Sequence, residues 1–292
     1  NLLQGEVSDL MTWVSNKFLS FAIVFVMLLP CFTFFETTTS STSISGAISS
    51  DTTWTKENSP YNLNESVTVE SGVTLTIEAG VTVELNGYRL QVDGILRAIG
   101  SDTEKVVFEG GKIVFSTSSV GWDEQSSSGC IIQDASINKT TIASSNAIKV
   151  SKSSISGLDD ATSAALSVGG LSVISDNTII STYGKGHGIT VKNGLASIHD
   201  NIISGFAIGI WAASPASIER NTIVNCGVGI GVGKIIGTSI DSYEFAEVSA
   251  AVTENTIANN YIGIGGPIFN GKTAISNIVA TGEVTAQKNY RP

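Results

Sequence analysis

Charge is scarce in this chain. Only 14% of its 292 residues are Asp, Glu, Lys or Arg, against about 25% in an ordinary globular domain. Four arginines (Arg89, Arg97, Arg220 and Arg291) cannot line a basic stripe, and 16 basic against 26 acidic residues leave a net charge of −10. Nucleic acid is therefore not expected among the partners. Three cysteines exclude a small disulfide-stapled scaffold. The two histidines, His187 and His199, lack the spacing that zinc prefers, so neither a metal nor a cofactor is expected. Low charge beside a hydrophobic fraction of 42% also excludes intrinsic disorder, which needs the opposite balance.

What the chain does have begins with an uncharged run from Phe18 to Phe35, flanked by Lys17 and Glu36. Its length lies on the border between a membrane span and the apolar part of a secretory signal. Residues 1–36 are read as either a signal peptide or a retained anchor or assembly helix, with membrane contact only through 18–35 if the segment is retained. Residues 37–60 open on TTTSSTSISGAISS, a Ser/Thr-rich stretch expected to be a solvated linker. After Val67 the pattern changes to short alternating runs, Val67/Val69, Val73/Leu75/Ile77 and Val81/Val83/Leu85, broken by Ser71-Gly72 and Ala79-Gly80. Alternation of period two with a turn every few residues predicts short β-strands.

The second half of the chain repeats itself. Asp176-Asn177-Thr178-Ile179 recurs as Asp200-Asn201-Ile202-Ile203, Arg220-Asn221-Thr222-Ile223 and Glu254-Asn255-Thr256-Ile257. Each copy is followed by a Gly-Ile pair, at Gly188-Ile189, Gly209-Ile210, Gly229-Ile230 and Gly263-Ile264. The asparagines lie 24, 20 and 34 residues apart, yet the Asn-to-Gly offset is eight in each of the last three copies. Constant offsets within variable repeats mean that strands and one turn are preserved while loops vary, as in a solenoid. The longest interval holds an insertion, roughly Lys234 to Ser249, expected to leave the stack sideways. Stacked coils would align Ile179, Ile203, Ile223 and Ile257 inward. Asn177, Asn201, Asn221 and Asn255 would form a structural ladder, apt because asparagine bonds neighbouring backbone and tolerates the left-handed conformation. The glycines are expected to supply positive φ at the next corner. At about 22 residues per coil, the stretch from Val67 to Tyr290 predicts on the order of ten coils.

These motifs, together with the segment Gly72–Gly100, resemble right-handed parallel β-helix proteins of the pectate-lyase-like group. The expected fold is all-β: a right-handed parallel β-helix solenoid over 61–292, preceded by the apolar segment and the linker. That group includes lyases, hydrolases, adhesins and purely structural proteins, so the resemblance speaks to fold more than to function.

Asp159-Asp160 followed by Gly186-His187-Gly188-Ile189 is similar to the paired-aspartate and Gly-His-Gly elements of polygalacturonase-type glycoside hydrolases, where two carboxylates act as acid and base. The resemblance makes Asp159, Asp160 and His187 the catalytic candidates. It is incomplete: the upstream element that should supply a third aspartate reads Ser145-Asn146-Ala147-Ile148, and no Arg-Ile-Lys element follows His187. A calcium-dependent lyase would need carboxylates converging around an arginine, and no such cluster is visible. Cys130 and Cys226, far apart in sequence, are expected to be free and buried. Asn64-Glu65-Ser66 and Asn138-Lys139-Thr140 are N-glycosylation acceptors. Trp54, Trp122 and Trp211 are weighed as sugar-stacking platforms against core or edge packing. The expected function is a non-catalytic structural or adhesive protein of the cell surface or extracellular space, with a polysaccharide or surface partner or with itself as polymer subunit. The alternative is a polysaccharide-degrading hydrolase or lyase.

Overall fold

Alternating residues at positions such as Leu75 and Ile77, or Leu90 and Val92, need a shared interior, and the chain provides it by winding. A computed structural model describes residues 41–158, 164–239, 242–246 and 248–265, together with the strands Ile268–Phe269, Lys272–Thr273, Ile278–Thr281 and Thr285–Ala286. Each turn of the winding contains up to three strands. The first coil comprises Thr42–Ile44, Ala47–Ile48 and Thr52–Trp54, and the second Tyr61–Leu63, Val67–Val69 and Thr74–Ile77. They pair in parallel at all three positions: Thr42 with Tyr61, Ala47 with Thr68, Thr52 with Leu75. The pattern continues upward. One sheet of ten strands takes the third strand of every coil, so there are ten coils, and Thr285–Ala286 opens an eleventh. The first and second strands of the coils share one sheet of 19 strands. They are joined because Val106–Phe115 in coil 4 and Ala135–Ser144 in coil 5 run through the first corner as single bent strands. This is a parallel β-helix.

Residues Thr42–Trp54 belong to the solenoid, which corrects the reading of 37–60 as a linker. A Ser/Thr-rich composition suggests a tether, but threonine is also a good strand former, and Ile44, Ile48 and Trp54 supply the inward positions. Trp54 is 2% exposed and stacks on Tyr61 with ring centroids 4.8 Å apart. Residues 1–40, including the whole apolar run, lie outside the described residues. Among the described residues, no helix is long and apolar enough to cross a membrane.

Inward side chains line up from coil to coil. Ile155, Ile179, Ile203, Ile223 and Ile257 are successive partners in the first-strand register, and each is at most 1% exposed. Ile174, Ile198, Ile218 and Val252 do the same on the third strand. Each fully buried aliphatic side chain of this size contributes about 1.5–3 kcal/mol relative to exposure.

Two corner expectations are corrected. The left-handed residue is the one before each ladder asparagine: Asp176, Asp200, Arg220 and Glu254 have φ between 51° and 58°. Gly188, Gly209 and Gly229 serve space and not positive φ. A Cβ on Gly209 would lie 2.6 Å from both the Gly229 carbonyl oxygen and the Ile223 Cγ2.

The insertion in coil 9 is a separate antiparallel hairpin, Lys234–Ser239 against Ser242–Ala246, after which Ala250–Thr253 resumes its place beside Ala216–Glu219. A second hairpin, Ile268–Phe269 with Lys272–Thr273, leaves coil 10 at the equivalent corner. The long loop between Phe115 and Ile131 leaves coil 4 there as well. Elaboration is therefore concentrated at the corner between second and third strands.

Candidate functional site

The corner that carries each coil's third strand into the next coil holds most of the polar chemistry. On its inner side run the four asparagines, all at most 1% exposed. The Asn201 backbone N–H and Nδ2 both donate to Oδ1 of Asn221, at 3.0 and 2.9 Å. Asn221 donates in the same way to Oδ1 of Asn255, at 2.8 and 3.0 Å, and Asn177 to Oδ1 of Asn201, both at 3.0 Å. Each Nδ2 also reaches a carbonyl of the coil below, as Asn221 Nδ2 does to Ile198 at 2.9 Å. At the lower end Ser153 takes the ladder position and donates its backbone N–H to Asn177 Oδ1 at 3.0 Å. Buried amides of this kind are satisfied only as a set, because each acceptor sits on the neighbouring coil.

A second, shorter rung appears five residues on. Asn260 Oδ1 accepts the Cys226 N–H at 2.7 Å, and Asn260 Nδ2 donates to the Ile223 carbonyl at 2.9 Å. Nothing in the four-residue repeat pointed to it, although the constant offset from Asn221 to Cys226 and from Asn255 to Asn260 was readable.

Charged groups lie on the outer side of the same corner. Arg220 forms a two-pronged pair with Asp200, Nε to Oδ1 and Nη2 to Oδ2, both at 2.9 Å. His199 Nδ1 lies 2.8 Å from Asp200 Oδ2, and Arg220 also reaches Glu219 at 3.2 Å. The Arg220 hydrogen bonds, with that of His199, hold the Asp200 carboxyl down to about 2. Lower in the stack Lys105 pairs with Asp134 at 2.8 Å. The Arg220–Asp200 and Lys105–Asp134 pairs tie one coil to another.

His187 lies on the outward side of the second-strand sheet. Its Nδ1 is 3.1 Å from Thr190 Oγ1, and its ring meets the Trp211 indole edge-on, with centroids 4.8 Å apart. Burial holds its basicity below the ordinary imidazole value. Trp211 donates its Nε1–H to the Gly233 carbonyl at 2.9 Å, at the base of the coil 9 hairpin. Beside Thr190 in register lies Ser167, also outward between inward Leu166 and Val168 and only 6% exposed. Its Oγ is buried and has no hydrogen-bond partner among the described residues. His187, Thr190 and Trp211 thus form one half-buried patch with Ser167 at its margin. Asp159 and Asp160 lie outside the described residues. The strand that follows them opens at Ala164, the register partner of His187.

The remaining candidates are dispersed. Cys130 and Cys226 are free and buried, and burial pushes the Cys130 thiol up to about 11. Trp54 is in the core. Trp122 covers the outer side of the ten-stranded sheet with Ile131 and Ala147; its indole N–H donates to Glu124, and the Lys149 ammonium lies 5.0 Å from its ring. Asn64 lies in an exposed turn, while Asn138 is half-buried in a strand. Among the described residues, no three His, Cys, Asp or Glu side chains gather as a metal site.

No family model matches the chain. A stretch of 65 residues, 22% of the chain, is 37% identical to Protein bark beetle of Drosophila melanogaster, and it spans 2% of that protein's length. Among solved structures, the Dettilon tailspike protein aligns with 74% of this chain and 43% of its own, at 17% identity and a TM-score of 0.34.

Proposed function

We propose that this chain is a non-catalytic β-helix of the cell surface or extracellular space, with a structural or adhesive role and a polysaccharide or surface partner. The carrying observation is how its polar groups are used. The ladder asparagines bond to one another, and the Asp200–Arg220–His199 and Lys105–Asp134 groups join coil to coil. Such groups stiffen a rod and leave its faces for contact. The only indole–imidazole pair described, Trp211 with His187, offers a sugar ring an aromatic edge beside a threonine hydroxyl. Export through the apolar run 18–35 belongs to the same reading.

A hydrolase remains the second reading, because the segment holding Asp159 and Asp160 leads into Ala164 beside His187. Acid–base catalysis by that pair still needs something to orient the sugar. The test measures reducing-end release from a panel of acidic and neutral polysaccharides, alongside retention of the protein on the same polymers immobilised. Retention on at least one polymer without release is the expected result. Release that vanishes in Asp160→Asn would replace this reading with the hydrolase.

A further inference from the structure

We infer that Asn64, and not Asn138, is the asparagine of this chain that carries an N-linked glycan. The inference rests on the export proposed above. Both residues sit in acceptor triplets, and sequence does not separate them.

Geometry does. Asn64-Glu65-Ser66 forms the corner between Tyr61–Leu63 and Val67–Val69, and all three residues are exposed. The backbone of this corner is already held, the Asn64 N–H donating to the Ile44 carbonyl at 3.0 Å. Ser66 Oγ accepts the Arg89 N–H at 3.3 Å, which leaves the hydroxyl proton for another acceptor. The equivalent corners on either side turn at Gly46 and Gly87. A Cβ at either glycine would meet nothing within 4 Å. A bulky polar group on Asn64 therefore has open space on both neighbouring coils.

Asn138 has the opposite surroundings. Its Oδ1 accepts the Ser156 hydroxyl at 2.9 Å, from the next coil. Thr140, the third residue of its triplet, is fully buried, and its hydroxyl is already donated to the Asn138 carbonyl at 2.8 Å. Lys139 between them is left-handed, with φ of 47°. An enzyme that reads the triplet hydroxyl finds it inside the solenoid, and the Asn138 amide is held half-buried against Ser156 of the next coil.

The modification is a group transfer from a polyprenyl-diphosphate-linked oligosaccharide. The bond between the anomeric carbon and the diphosphate oxygen breaks, and the bond from that carbon to Asn64 Nδ2 forms. The amide loses one proton, and the polyprenyl diphosphate leaves.

The full chain is expressed in a eukaryotic secretory host, and the secreted protein is weighed before and after peptide N-glycosidase, with Asn64→Gln and Asn138→Gln in parallel. The expected result is one glycan on the wild type and on Asn138→Gln, and none on Asn64→Gln, with unchanged β-sheet circular dichroism in all three. A glycan on Asn138, or secreted wild type without a glycan, overturns the inference. If the chain stays in the cytosol the export reading fails instead. The same chain behind an added secretion leader then tests Asn64 alone, by the same two outcomes.

Discussion

Eight residues lie one above another where each third strand passes into the next coil. From coil 3 upward they are Val81, Val106, Ala135, Ser153, Asn177, Asn201, Asn221 and Asn255, each one residue before the register pairs of the first-strand sheet. The lower three are apolar and at most 1% exposed. Val81 meets its backbone need locally, its N–H donating to the Glu78 carbonyl at 3.3 Å, and Val106 donates to a backbone carbonyl of the next coil, that of Asp134, at 3.2 Å. Ala135, Ser153, Asn177, Asn201 and Asn221 each hand the same backbone N–H to a side-chain oxygen of the coil above. Two solutions thus coexist in one column, one by packing and one by hydrogen bonding. Packing accepts any residue of fitting volume, whereas the ladder needs a side-chain oxygen at every rung, from Ser153 at its lower end and from asparagine above it. This is why the upper half repeats visibly and the lower half does not.

The comparison is tested most severely by exchanging the solutions. Asn221→Ala leaves the Asn201 N–H and Nδ2 without their acceptor and removes the Nδ2 donor from the Ile198 and Glu219 carbonyls, of which Glu219 keeps the Asp200 N–H. We expect a loss of about 3 kcal/mol in denaturant unfolding. Val106→Asn should cost about as much for the converse reason, since Val81 and Ala135 offer a buried amide no partner. Equal stability of Asn221→Ala and wild type would show that the ladder follows from the fold and does not support it.

Gly209→Ala comes next. The added methyl would sit 2.6 Å from the Gly229 carbonyl oxygen and Ile223 Cγ2, so coils 8 and 9 must part. Overpacking of this kind costs about 1–3 kcal/mol, read as a lower thermal midpoint. Gly87→Ala, with no atom near its Cβ but φ of 83°, would be strained through its backbone alone and tests the two causes separately.

A smaller effect is expected from His187, also in the upper half. Its folded value lies below the ordinary one because of burial, so the unfolded chain takes up the proton first as pH falls. Stability is then present above about pH 6.5 and declines on acidification through the range below it. His187→Gln should flatten the midpoint between pH 7 and pH 5, and an unchanged slope would count against a buried neutral imidazole.

The smallest effect belongs to the outer ion pairs. Asp200, held down to about 2 by Arg220 and His199, favours the fold above the ordinary aspartate value and ceases to as pH falls from about 4 toward 2. Arg220→Ala should remove that acid limb of the stability curve while moving the neutral midpoint little, because the pair is solvent-screened. A large neutral-pH loss would mean that these charges support the upper coils as strongly as the asparagines do.

The sequence alone determined the winding. Period-two alternation and a constant offset from Asn201, Asn221 and Asn255 are enough to imply strands stacked in parallel with amides in register, because a repeated inward side chain can be buried only by its own counterpart in the next coil. The sideways exit at Lys234 followed from the same offset. Tertiary structure alone decided what local pattern leaves ambiguous. Thr42–Trp54 became the first coil because Trp54 found Tyr61, a contact between residues that no periodicity links. Gly209 is required by an oxygen and a methyl of the following coil, and the left-handed corner passed to Asp200 and Arg220, whose charges could then meet outside. His187, Thr190, Trp211 and Ser167 come from two strands and a third, so only the register of separate coils brings them together.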